Sequence, residues 1–102
     1  MQSYEFMIVL SGKLEEEKIN QILKEIENII EENQGKILKT DKWGKRKLAY
    51  NIKSEDEGYY ILLYLKANKI ILNDLEKFCK VNEYVLRQLI LKLKKEIELV
   101  SN

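Results

Sequence analysis

The stretch Arg46-Lys47-Leu48-Ala49-Tyr50-Asn51-Ile52-Lys53-Ser54-Glu55-Asp56-Glu57-Gly58-Tyr59-Tyr60-Ile61-Leu62-Leu63-Tyr64-Leu65 reads as two strands joined by a polar turn. Arg46, Leu48, Tyr50 and Ile52 fall on one face at the two-residue period of a strand, and Tyr59 to Leu65 is an unbroken aromatic and aliphatic run. Ser54 to Gly58 is the expected turn between them. Extended character reaches back to Lys36, but Gly44 resets the alternation, which predicts a bulge or sharp bend inside a long strand.

The flanks complete the pattern. Tyr4 to Leu10 is apolar on both faces and reads as a buried strand, ended by Ser11-Gly12. Glu15-Glu16-Glu17 puts acid in the first turn of a helix, where the macrodipole favours it. Ile19, Ile22, Leu23, Ile26, Ile29 and Ile30 form that helix's apolar stripe, and Gly35 is placed for its C-cap. Asn68 is the expected N-cap of a second helix carrying Ile71, Leu72, Leu75, Phe78 and Cys79. Val85 to Leu93 is the last strand. The order β-α-β-β-α-β predicts an α+β fold of the ferredoxin-like split type, a four-stranded antiparallel sheet with two helices on one face. Residues 1–93 form a single domain and residues 94–102 a mixed-charge tail.

With helices on one face only, the other should be polar. The third strand instead carries Tyr60, Leu62 and Tyr64 there, opposite Tyr59, Ile61, Leu63 and Leu65. Either a partner covers this face, or the tail or the bent hairpin folds over it; the sequence leaves both open.

A chain of 102 residues suits one core, and 45% apolar residues exclude a disordered tail. Histidine is absent and Cys79 is the single cysteine, which removes His-based triads, His-built zinc sites and internal disulfides. Cys79 reads as a small buried hydrophobe in a reducing compartment. The carboxylates of the first helix lie on a solvated face, so catalysis has no obvious seat, and no metal or cofactor is implied. No apolar run is long enough to span a bilayer, and Met1-Gln2-Ser3-Tyr4-Glu5 lacks the basic region of a signal peptide.

A net charge of +1 conceals a strong asymmetry. Residues 13–32 hold three Lys against seven Glu; residues 36–53 hold six Lys and Arg46 against Asp41. Such a hairpin is the footprint of a surface facing phosphates, although lysines also protect edge strands. The chain uses 16 Lys and only two Arg, Arg46 and Arg87. Arg46 belongs to the basic cluster; Arg87 either faces RNA or pairs with Asp41 or a Glu. Trp43 either stacks on a base or anchors the bulge. The candidate RNA-binding set is Lys42, Trp43, Lys45, Arg46, Lys47 and Arg87.

The run Asp41-Lys42-Trp43-Gly44-Lys45-Arg46-Lys47-Leu48-Ala49-Tyr50-Asn51-Ile52 resembles the signature of the family of protein number six of the bacterial small ribosomal subunit: Trp-Gly, a basic residue, Arg, a variable residue, then Leu-Ala-Tyr. Tyr4-Glu5, Gly35, Tyr59 or Tyr60, and Val85-Leu86-Arg87 extend the resemblance along the chain. It departs at Asn51, where many members carry proline, and at Lys45, where arginine is common. The resemblance implies the same split fold and a structural, non-enzymatic protein of the cytoplasmic ribosome, bacterial or organellar. It further implies binding to the central domain of small-subunit ribosomal RNA as a heterodimer with protein number eighteen of that subunit. Such a partner would cover the apolar face, with Tyr50, Tyr60, Leu62 and Tyr64 as its candidate surface. An RNA-recognition-motif domain shares the fold, and Glu57-Gly58-Tyr59-Tyr60-Ile61-Leu62-Leu63-Tyr64 loosely echoes its signature; but Tyr60 stands where Gly or Ala belongs and Glu57 where a cation leads. A regulatory or protein-interaction module of the same fold is the remaining alternative.

Overall fold

The structure, a computed structural model, describes residues 1–94; the tail expected at residues 94–102 lies almost wholly outside them. The elements follow the order β1 (Gln2–Ser11), α1 (Glu16–Glu32), β2 (Lys36–Ile52), β3 (Glu55–Ala67), α2 (Lys69–Val81) and β4 (Val85–Lys92). The strands form one antiparallel sheet in the order β2-β3-β1-β4. The architecture is the ferredoxin-like split β-α-β fold expected from the sequence.

Both helices pack on one side of the sheet. Their buried stripes are Ile19, Ile22, Leu23, Ile26 and Ile30 on α1, and Ile71, Leu75 and Cys79 on α2. They meet Phe6, Ile8 and Leu10 of β1 and Ile61, Leu63 and Leu65 of β3 in one core. Each fully buried Ile or Leu contributes roughly 1.5–3 kcal/mol. Asn68 caps α2 as expected: the Ile71 amide donates to Asn68 Oδ1 at 2.9 Å. Cys79 is 6% exposed, and burial, with Glu76 nearby, pushes its thiol up to about 12.

Two local expectations are corrected. The hairpin turn is not Ser54 to Gly58 but Lys53-Ser54 alone, both at positive φ (49° and 65°), with Ile52 opposite Glu55. This is the two-residue geometry whose twist matches the strands it joins. Asp56 and Glu57 are polar because they lie at the exposed start of β3, not because they turn, and half-buried Glu55 accepts a hydrogen bond from Ser11 Oγ at 2.6 Å. Gly35 is not the left-handed C-cap residue. Gln34 takes that conformation at φ 66°, and the Gln34 and Gly35 amides donate to Glu31 O and Ile30 O, closing a Schellman motif. Gly35 is small because a Cβ there would stand 2.6 Å from Ile71 Cδ1.

Gly44 behaves as expected. It has φ 86°, and the register slips between Lys42 and Gly44, so that Trp43 is inserted opposite Tyr60. An earlier slip between Ile37 and Lys39 inserts Leu38.

Candidate nucleic-acid interface

The open sheet face is built from Tyr60, Leu62 and Tyr64 of β3, Glu5, Met7 and Val9 of β1, and Arg87, Leu89 and Leu91 of β4, which alternate with the residues of the main core. Part of it is covered from within. After Lys47 the β2–β3 pairing lapses until Ile52, and the freed segment folds inward. Leu48, 7% exposed, packs on Val9 and Leu86, with Ile52 and Tyr60 against them. Gly58 permits this closeness, since a Cβ there would lie 2.5 Å from Val9 Cγ1 and 3.3 Å from Leu48 Cδ2. Of the two coverings the sequence left open, the bent hairpin therefore accounts for the end of the face near the turn. Lys53 fastens it, its Nζ donating to Val85 O at 3.0 Å.

The basic cluster is divided between the two faces. Lys42 opposes Ile61 and Lys45 opposes Tyr59, both partners on the helix side. Lys42 Nζ reaches Glu16 Oε1 at 3.2 Å and also donates to Asn20 Oδ1, tying the hairpin to α1. Lys47 lies opposite Glu57. Arg46 opposes Gly58 on the open side, and its guanidinium lies 5.4 Å from the Trp43 ring centre. Trp43, 43% exposed, is nearly parallel to Tyr60, with centroids 6.5 Å apart and planes at 13°.

Arg87 lies on the same face, and its Nη1 donates to Tyr50 Oη at 3.0 Å. The expected alternative of an ion pair with Asp41 or a Glu is not what the structure contains: among the described residues, neither arginine is in an ion pair. Asp41 instead pairs with Lys39 at 3.6 Å. Tyr50 is 62% exposed, while Leu62 is only 4% exposed and offers little surface to a partner. At Tyr64, burial and then the Glu5 and Asp41 carboxylates raise the phenol pKa, while Lys39, opposite Tyr64, pairs with Asp41. Leu89 and Leu91, 48% and 49% exposed, also lie on this face and were not singled out from the sequence; their alternation with Gln88 and Ile90 was the available signal.

The described residues contain no acid, cysteine or histidine cluster able to hold a metal. No helix among them is long and apolar enough to cross a membrane. The arrangement suits charge neutralisation and planar stacking, not bond making.

Comparison with known proteins agrees. Residues 3–92 match the family model described as ribosomal protein S6. A small ribosomal subunit protein bS6 from Thermoanaerobacter pseudethanolicus is 42% identical over 92 residues, covering 90% of this chain and 97% of the relative. The bS6 protein of Streptomyces griseus is 36% identical, covering 90% of this chain and 96% of its own. The crystal structure of 30S ribosomal protein S6 from Thermotoga maritima superposes with a TM-score of 0.84 at 32% identity, covering 90% of this chain and 87% of that one. Fold and site thus define a structural protein of the small ribosomal subunit, from a family without enzymatic activity. The chain belongs to the ribosomal protein S6 family.

Proposed function

We propose that this small-subunit protein binds the central domain of small-subunit ribosomal RNA as a heterodimer with protein number eighteen of the same subunit. The observation that carries the reading is the pair of arginines, Arg46 and Arg87, brought to one sheet face without a counter-charge among the described residues. Arginine keeps its charge at all working pH values and grips phosphate oxygens with a planar fork. Lys45 and Lys47 add cations on the other side of the hairpin. Lys42 joins them only by releasing Glu16, an exposed ion pair worth under about 1 kcal/mol. Binding of this kind releases counterions and follows RNA shape more than base sequence.

The partner is placed on the remaining open face, at Tyr64 and Leu91, with Leu62 beneath and Tyr50 and Tyr60 where the two surfaces meet. The test is binding of a labelled central-domain RNA fragment at two salt concentrations, with and without protein eighteen. Tight binding only with the partner, weakening as salt rises, is the expected result. Strong binding of the chain alone to single-stranded RNA would refute the heterodimer reading. Arg46→Ala is expected to weaken binding across sequences and to lower the salt slope by about 1. An unchanged slope would remove the hairpin from the contact surface.

A further inference from the structure

The bond between Arg87 and Tyr50 arises from two irregularities in different strands. In β2 the pairing with β3 lapses between Lys47 and Ile52, which frees Tyr50 to reach β4. In β4 the register slips between the pairs Leu10–Val85 and Val9–Arg87, so Leu86 is an extra residue. The slip lets Leu86 pack on Val9 and Leu48 while Arg87, next to it, stays opposite Val9 on the same side of the sheet. Beside that buried cluster, Arg87 Nη1 donates to Tyr50 Oη at 3.0 Å. The segment bearing Tyr50 is fastened on both sides, by Leu48 in the cluster and by Lys53 Nζ on Val85 O. The acceptor is neutral. A carboxylate in its place would fix the guanidinium and cancel its charge; a phenol fixes it and leaves the charge and the remaining N–H donors for another ligand. Glu76 lines the groove beside Arg87, in company with Lys53 and Lys80, but forms no ion pair with it. Arg46 is held in a similar way over the Trp43 ring, so each of the two arginines rests on an aromatic side chain of β2 and not on an acid.

We propose that Tyr50 is a positioning residue for RNA binding: its hydroxyl holds the Arg87 guanidinium ready for phosphate and does not itself touch RNA. The inference rests on the proposed contact between Arg87 and RNA, and it moves Tyr50 from the candidate partner surface to the RNA side. An exposed arginine that nothing holds gives up rotamer freedom when it binds. The bond to Tyr50 supplies part of that ordering before RNA arrives.

The test is a double-mutant cycle of Tyr50→Phe, which keeps the ring and loses the acceptor, with Arg87→Ala. Affinity for the central-domain RNA fragment is measured with the partner protein present, at two salt concentrations. Partner affinity is measured separately without RNA, and urea midpoints check that each variant is folded. Tyr50→Phe alone is expected to bind RNA roughly two- to ten-fold more weakly with an unchanged salt slope, the effect of one lost hydrogen bond without lost charge. Arg87→Ala should lose more and lower the slope by about 1. In the Arg87→Ala background Tyr50→Phe should have no further effect on RNA, and it should leave partner affinity unchanged in both. An equal loss in both backgrounds would mean that Tyr50 touches RNA directly, and a loss of partner affinity would return it to the partner surface; either result overturns the inference. Wild-type RNA affinity in Tyr50→Phe, with Arg87→Ala impaired, would overturn it too, while leaving Arg87 as an RNA contact. Wild-type affinity in Arg87→Ala, or failure of the wild-type protein to bind RNA in any combination, would instead refute the underlying reading, and this role with it.

Discussion

Replacing Gly58 by alanine tests how the hairpin closes over the sheet. The added methyl would stand 2.5 Å from Val9 Cγ1 and 3.4 Å from Leu10 O. Val9 is β-branched, 4% exposed, and sits on a strand paired on both sides, so it cannot swing away. Overpacking of this kind costs about 1–3 kcal/mol. Against it, alanine in a strand interior gains roughly 0.5–1 kcal/mol over glycine through lower unfolded-state entropy. The clash should win, leaving Gly58→Ala less stable by about 1–2 kcal/mol. In a Val9→Ala background the obstructing methyl is gone, and the same substitution should become neutral or stabilising by up to about 1 kcal/mol. Urea denaturation of the four proteins, read as midpoints at constant m, gives the cycle directly. If Gly58→Ala destabilises equally in both backgrounds, contact with Val9 is not why the position is glycine.

Three further outcomes are expected. Cys79→Ala should cost about 1–2 kcal/mol by opening a small cavity while leaving RNA affinity unchanged; lost binding with intact stability would contradict its place in the core. Because the Cys79 thiol is raised to about 12, above its unfolded value near 9, its contribution is complete below pH 9 and declines as pH rises towards 12. Denaturation at pH 8 and pH 10 should show a loss that Cys79→Ala lacks, and native protein should resist thiol alkylation at pH 8. Asn68→Ala should cost about 1 kcal/mol by leaving the Ile71 amide without its side-chain acceptor, read as a shift of the thermal midpoint.

The fold was legible because its signals are local. The stripe of α1, the Asn68 cap and the inserted Trp43-Gly44 bulge each follow from a few neighbouring residues, and the element order follows from them. The hairpin turn was not legible, because Lys53 and Ser54 adopt positive φ without the Asn or Gly that announces it. The basic cluster was visible as composition but not as geometry. Two inserted residues, Leu38 and Trp43, each flip the alternation of β2, so counting positions along the strand cannot say which lysines share a face with Arg46. The bond from Arg87 to Tyr50 was equally hidden, joining residues 37 apart through the inward fold of the hairpin.

The strand order also bears on when the protein can fold during synthesis. The N-terminal strand β1 is central, and its neighbours end at Ala67 and Lys92. Its first half is thus without a complete sheet until nearly the whole described chain has left the ribosome. Such pairings close long loops late and slowly. The β2–β3 hairpin needs only its own residues, 36–67, and forms on the timescale of local structure. The segment bearing Trp43 and Arg46 therefore takes shape before the face it belongs to. The second arginine joins it only when β4 docks, so the two arginines come to share one face late in synthesis.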